Sequence, residues 1–302
     1  MQRRDFIQQT AAAGALIGLG GLGLTSFKPA NKKITILHTN DVHSHIDAFG
    51  PEDGRNPNQG GVARRASLVE AIRKENPHTL LLDAGDIFQG TPYFNYYGGE
   101  LEFKLMSMLK YDVATIGNHD FDNGISGLYA QLPHAKFDFV SSNYDFSNTI
   151  MDTHVKPYRI IIKDGIKIGI FGLGIKLDGL VDKNMYKETV YLDPTEIAQE
   201  MTKILKDDEK CDLIICLSHL GYDYRNSEKI SDLKLAENTK DIDLIIGGHT
   251  HTFLKKPTVV KNSEGKNMLV NQVGCYGINL GKIDFYFDAD KNKAADGTSI
   301  IV

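Results

Sequence analysis

Cysteine is scarce in this chain: Cys211, Cys216 and Cys275 do not make the disulfide framework that staples small secreted domains. Cys211 and Cys216 stand five apart on one predicted strand, so their side chains are expected on opposite faces, out of reach of each other. All three read as small core residues. A basic stripe is also missing, and the formal charge of −5 speaks against a nucleic-acid polymer as partner. Phosphate esters would need local positive charge, which metals can supply. No low-complexity linker or fixed-period repeat divides the chain. The apolar, Gly-rich run from Ala11 to Leu24 is too short to cross a bilayer comfortably, which takes about 20 residues.

That run has instead the layout of an export signal. Arg3, Arg4 and Phe6 precede it and resemble a twin-arginine signal, with Gln2 before the pair and Gln8 where a lysine is common. Residues 1–30 are therefore expected to direct export to the periplasm, and membrane contact is expected only through an uncleaved signal. The remainder, 31–302, fits one large domain with a charge of about −7.

What the chain has in abundance is apolar strands that end in chemistry. Ile34–Ile46 opens with alternating Ile34, Ile36 and Leu37 and closes on Asp41 and His43. A hard oxygen and an imidazole nitrogen delivered from one strand end suit a divalent cation. The device recurs: Thr79–Asp83 runs on to Asp86, and Val113–Ile116 to Asn118, His119 and Asp122. Leu213–Leu217 leads to His219, and Leu244–Ile246 to His249 and His251. Open α/β sheets bind ligands at the carboxyl ends of their strands, so these residues are expected to converge.

Between the strands, helical spacing predicts helices over Gly61–Asn76, Asn95–Lys110, Pro194–Lys206 and Ser227–Glu237, with a short one ending near Leu132. Leu101, Leu105, Met108 and Leu109 are expected inward on the second of these. Phe137–Ser141 reads as a short strand. Tyr158–Lys163 and Lys167–Gly172 read as a hairpin turning at Asp164–Gly165, and Pro257–Phe287 as hairpins turning at Glu264–Gly265. Strand–helix alternation interrupted by hairpins predicts an α/β fold with a mixed sheet.

TNDVHSH, DAGDIFQGTP, IGNHDFDNG, LSHLG and GGHTH, in this order, resemble the catalytic domain of the 5′-nucleotidase family of calcineurin-like metallophosphoesterases. The resemblance runs from about Ile34 to Phe287. It implies a four-layer α/β/β/α sandwich with two mixed sheets. It also implies two divalent metals, of Mn, Zn, Fe or Co type. Asp41, His43 and His251 would hold one, Asn118, His219 and His249 the other, and Asp86 would bridge them. A hydroxide between the metals would attack phosphorus. His119, oriented by Asp122, would stabilise the phosphoryl oxygens or protonate the leaving group. The nucleotidase branch often has Gln where His251 stands, while the wider superfamily has His.

Other candidates carry less. Asp83 reads as a strand-end or supporting residue, His38 and His45 as packing or surface residues, and Arg64 and Arg65 as helix surface. Tyr93, Phe94, Tyr96 and Tyr97 read as helix-start packing, with a substrate rim as the alternative. The expected substrate is a nucleotide or other small phosphate ester. The expected reaction is 5′-nucleotidase-type phosphomonoester hydrolysis, with a cyclic nucleotide, nucleotide sugar or thiosulfate ester as alternatives and a non-catalytic scaffold behind them. In the family a second, base-clamping domain usually follows. Only 51 residues follow His251 here, so a separate polypeptide is expected to supply that half.

Overall fold

The computed structural model describes residues 32–302 apart from 226, together with the backbone of Ile17–Leu19. Arg3, Arg4 and, apart from Ile17–Leu19, the rest of the expected export signal lie outside the described residues. Two large mixed sheets dominate. The first has seven strands, in the spatial order Ile17–Leu19, Lys293–Ile301, Asn279–Phe287, Lys32–Thr39, Thr79–Asp83, Val113–Ala114, Asp138–Phe139. The second has six, in the order Thr258–Lys261, Asn267–Asn271, Leu244–Gly247, Leu213–Ser218, Ile166–Leu173, Tyr158–Lys163.

Each strand is sorted by its two-residue period. Ile34, Ile36, Leu80 and Leu82 face the second sheet and meet Ile168, Ile170, Leu213, Ile215, Leu244 and Ile246 in a core between the sheets. Leu37 and Leu81 point the other way, under the helical layer of Val62–Glu75 and Glu100–Met108. Ile214, Cys216 and Ile245 do the same on the far side, beneath helices Pro194–Lys203 and Asp232–Asn238. The result is helix, sheet, sheet, helix. Parallel pairing of Lys32–Thr39 with Thr79–Asp83, and of Ile166–Leu173 with Leu213–Ser218 and then Leu244–Gly247, aims the carboxyl ends of these strands at one edge of the molecule.

Several expectations are corrected. The helix expected over Asn95–Lys110 is two, Pro92–Tyr97 and Glu100–Met108, because Gly98 and Gly99 both take positive φ. The break rotates the second helix, so Phe103 and Met106 are buried while Met108 is 75% exposed. The helix expected over Ser227–Glu237 starts only at Asp232, where the Ser231 hydroxyl accepts from the Lys234 amide. Cys211 lies before its strand rather than on it, and packs in the same cluster as Cys216; all three cysteines are buried and free. Lys293–Ile301 is a nine-residue strand unforeseen in KAADGTSII, whose small and charged residues have low β-propensity. Long antiparallel pairing with Asn279–Phe287 overrides that preference. Arg65 is 4% exposed and not on the helix surface, whereas Arg64 is. Asp164 and Gly165 both take positive φ and close the expected hairpin as a type I′ turn.

Candidate metal centre

Three loops turn sharply as they leave two strands of the first sheet and Leu244–Gly247 of the second. Asp41, His43, Asp86, His249 and His251 all adopt positive φ, a conformation uncommon for residues with side chains. Backbone hydrogen bonds hold the turns together: Asp41 N–H donates to Gly85 O, and His43 N–H to Asp86 O at 3.0 Å. Strain held in this way at converging polar groups is a mark of functional geometry.

Two groups of potential ligands result. In one, Asp41, His43 and His251 bring their ligand atoms within 4.8 Å of one another. His43 Nε2 lies 3.0 Å from His251 Nε2, and His251 Nε2 lies 3.4 Å from Asp41 Oδ1. In the other, Asp86, His219 and His249 do the same. His219 Nε2 lies 3.0 Å from Asp86 Oδ2, and Asn118 Oδ1 sits 2.8 Å from His249 Nδ1. The same Asp86 Oδ2 is 3.8 Å from His43 Nε2, so one carboxylate oxygen faces both groups.

The imidazoles are held from behind. His219 Nδ1 contacts Ala84 O at 2.7 Å, and His43 Nδ1 contacts Gln89 O at 3.1 Å, which turns each Nε2 inward. His219 Nε2 is buried and lies 3.0 Å from Asp86 Oδ2 without being aligned for a hydrogen bond to it. Burial would raise Asp86, but His219, His43 and His119 reverse this and hold it below the usual carboxylate range. Burial disfavours charge on His219, yet Asp86 and Asp41 push it up to about 10. Burial and His219 bring His249 down to about 4. A divalent metal would supply the charge these carboxylates draw from protons, displacing those protons as it binds. Carboxylate, amide and imidazole donors without a thiolate in either group fit Mn, Zn, Fe or Co. The residues present therefore fit two divalent ions.

His119 and Asp122 stand at the edge. His119 Nδ1 is 2.8 Å from Asp122 Oδ2, and the His119 ring is 5.2 Å from that of His43. The hydrogen bond to Asp122 raises His119 above the ordinary imidazole value. Asp83 lies behind the site, accepting from the Thr39 hydroxyl and the Gly85 amide. His38 is buried in the core, where burial lowers it to about 3. Phe94 is in the core, but Tyr96 is 84% exposed.

One contributor went unread in the sequence. Asp120, between His119 and Asp122, is buried and accepts from the amides of Gly117, Asp86, Ile87 and Phe88. It therefore shapes the loop that presents Asp86. Its position inside GNHDFD, an acidic residue among site residues, was the available signal.

The fold and these groups define a metallophosphoesterase, and residues 34–253 match the calcineurin-like phosphoesterase family; the chain belongs to it. This is a class of metal-dependent phosphoester hydrolases. Within it the chain resembles 5′-nucleotidases. It is 35% identical over 287 residues to the trifunctional nucleotide phosphoesterase protein YfkN of Bacillus subtilis, covering 84% of this chain and 18% of that protein. It is 34% identical to the snake venom 5′-nucleotidase of Crotalus adamanteus, covering 86% and 46%. The 5′-nucleotidase precursor of Thermus thermophilus superposes with a TM-score of 0.81 at 36% identity, covering 90% of this chain and 55% of that one. The chain thus spans about half the length, or less, of these relatives.

Proposed function

We propose that the chain hydrolyses phosphate monoesters of the nucleotide type. The observation that carries this reading is Asp86 Oδ2, which faces His219 Nε2 at 3.0 Å and His43 Nε2 at 3.8 Å and so lies between both ligand groups. Asp41, His43 and His251 would hold one metal, Asn118, His219 and His249 the second, and Asp86 both. Bound metals would supply positive charge for the phosphoryl oxygens and activate water at neutral pH. The chain's own work is positioning. Ala84 and Gln89 carbonyls aim His219 and His43, and the amides around Asp120 hold the Asp86 loop. His119 Nδ1 donates to the Asp122 carboxylate, which favours the imidazolium; in that form Nε2 also carries a proton and delivers it to the oxygen of the departing alcohol.

The test is phosphate release from AMP and from an aryl phosphate. Chelation should abolish it and a divalent transition metal restore it; metal-independent turnover would refute the reading. The Bacillus relative is named a trifunctional nucleotide phosphoesterase, which supports including a 2′,3′-cyclic nucleotide in the panel. Preference for a nucleoside would come from contacts beyond the phosphate, and a separate polypeptide over the cleft is one source; added partner protein would then raise kcat/KM for AMP selectively.

We also propose export through the twin-arginine route, on the strength of Arg3, Arg4 and Phe6. Replacing both arginines by lysine should leave the protein in the cytoplasm; undiminished export would refute that route. Among the described residues no helix is long and apolar enough to cross a membrane.

A further inference from the structure

Beside the metal groups lies a row of rings that the mechanism above does not use. The Tyr276 ring stands 5.9 Å from His43 and 5.9 Å from His251, both in one ligand group. His45 packs against Tyr276 at 4.3 Å, and Phe49 stacks on His45 at 5.1 Å with an interplanar angle of 24°. Tyr276, His45 and Phe49 are all partly exposed.

The backbone displays the tyrosine at a cost. Tyr276 takes φ of +61°, between Gly274 at +82° and Gly277 at +64°. A Cβ on Gly274 would overlap the Phe253 ring, and one on Gly277 would overlap the Arg65 guanidinium, so the flanking positions admit no larger residue. The Tyr276 amide donates to Asp41 O at 2.7 Å, which couples the ring's place directly to a ligand. Phe253, 51% exposed, extends the aromatic surface on the other side of Gly274. Core packing does not require a partly exposed tyrosine in a strained loop against two ligand imidazoles. Recognition of a flat group next to the phosphate does.

We propose that Tyr276, backed by His45 and Phe49, forms a subsite for a planar ring on the alcohol side of the phosphoester, whether aryl or nucleobase. The subsite rests on the hydrolase reading for its placement beside a bound phosphate. Ring stacking of this kind discriminates by roughly tenfold per ring. It acts on binding of ring-bearing substrates and gives glycerol phosphate nothing.

Three phosphonates, whose C–P bond replaces the scissile ester bond, test it by calorimetry on the full manganese-loaded chain: phenyl-, cyclohexyl- and methylphosphonate. The wild type should bind phenylphosphonate about tenfold more tightly than methylphosphonate, and more tightly than the non-planar cyclohexyl compound. Tyr276→Phe should keep that ratio. Tyr276→Asn, chosen because asparagine tolerates a positive φ, should bring it towards one with metal content intact. Equal binding of the three by the wild type, binding of none, or an undiminished ratio in Tyr276→Asn would overturn the subsite. Should Tyr276→Asn fail to fold, the wild-type ratio and its fall in Phe49→Ala decide. Selective phenylphosphonate binding with no phosphate released from any ester would defeat the hydrolase reading and leave the subsite standing. Hydrolysis with equal phosphonate binding would do the reverse.

Discussion

Two histidines, one from each ligand group, differ in how firmly they are held. His219 is fully buried, its far nitrogen fastened to Ala84 O and its near one 3.0 Å from Asp86. His251 has a side chain 35% exposed, and its neighbours are Asp41, His43, Cys275 and the Tyr276 ring. His219 is held like a core residue and His251 like a rim residue, while each group has two buried members and one half-buried one. A buried ligand with a fixed partner is pre-oriented for its metal, while an open one leaves room for a substrate. The contrast assigns anchoring to His219 and substrate contact to His251.

Asp86→Ala should break the comparison outright. Phosphate release should fall to background, since both groups lose their shared carboxylate. Next, His219→Ala should be about tenfold more damaging than His251→Ala. It also leaves a buried void and an unpaired Ala84 carbonyl, an effect of order 1–3 kcal/mol. Equal losses in turnover and metal content would remove the distinction between the two histidines. His119→Asn should then lower kcat by about 10²–10⁴ while metal content stays at the wild-type value. Loss of metal from that variant would make His119 a ligand instead of a proton donor.

The smallest effect concerns pH. Asp122 raises His119, so the protonated imidazole survives to higher pH than an ordinary histidine would allow. Stabilisation of that form is present at low pH and is lost as pH rises through the raised value. Asp122→Asn should therefore move the alkaline limb of kcat to lower pH, with a loss of roughly tenfold for each unit moved at pH values above both positions of the limb. An unmoved limb would mean that Asp122 does not set the proton's affinity.

Much of this was legible in the sequence because period-two apolar runs have few ways to fold. Ile34 and Ile36, or Leu80 and Leu82, can be buried together only on one sheet face, and the residues after each run must then emerge at the strand's end. That logic brought Asp41, His43, Asp86, Asn118, His119, His219, His249 and His251 to one edge. Less legible were features decided by tertiary partners. Lys293–Ile301 becomes a strand only because Asn279–Phe287 offers an unpaired edge. Arg65 looks like surface until the Gly277 loop closes over it. Asp120 has no periodicity to mark it, since its role lies in four amides from two loops. The Gly98–Gly99 break was visible in the sequence and should have ended the helix expected through it.

The central claim is that Asp86 is shared by two metal ions, and elemental analysis of Asp86→Ala beside the wild type tests it most directly. After loading with manganese and removal of excess, the wild type should carry two ions per chain, one for each ligand group. The variant, with an unchanged circular dichroism spectrum, should carry fewer than one ion per chain. Two ions retained in Asp86→Ala, with near-normal turnover, would contradict the account.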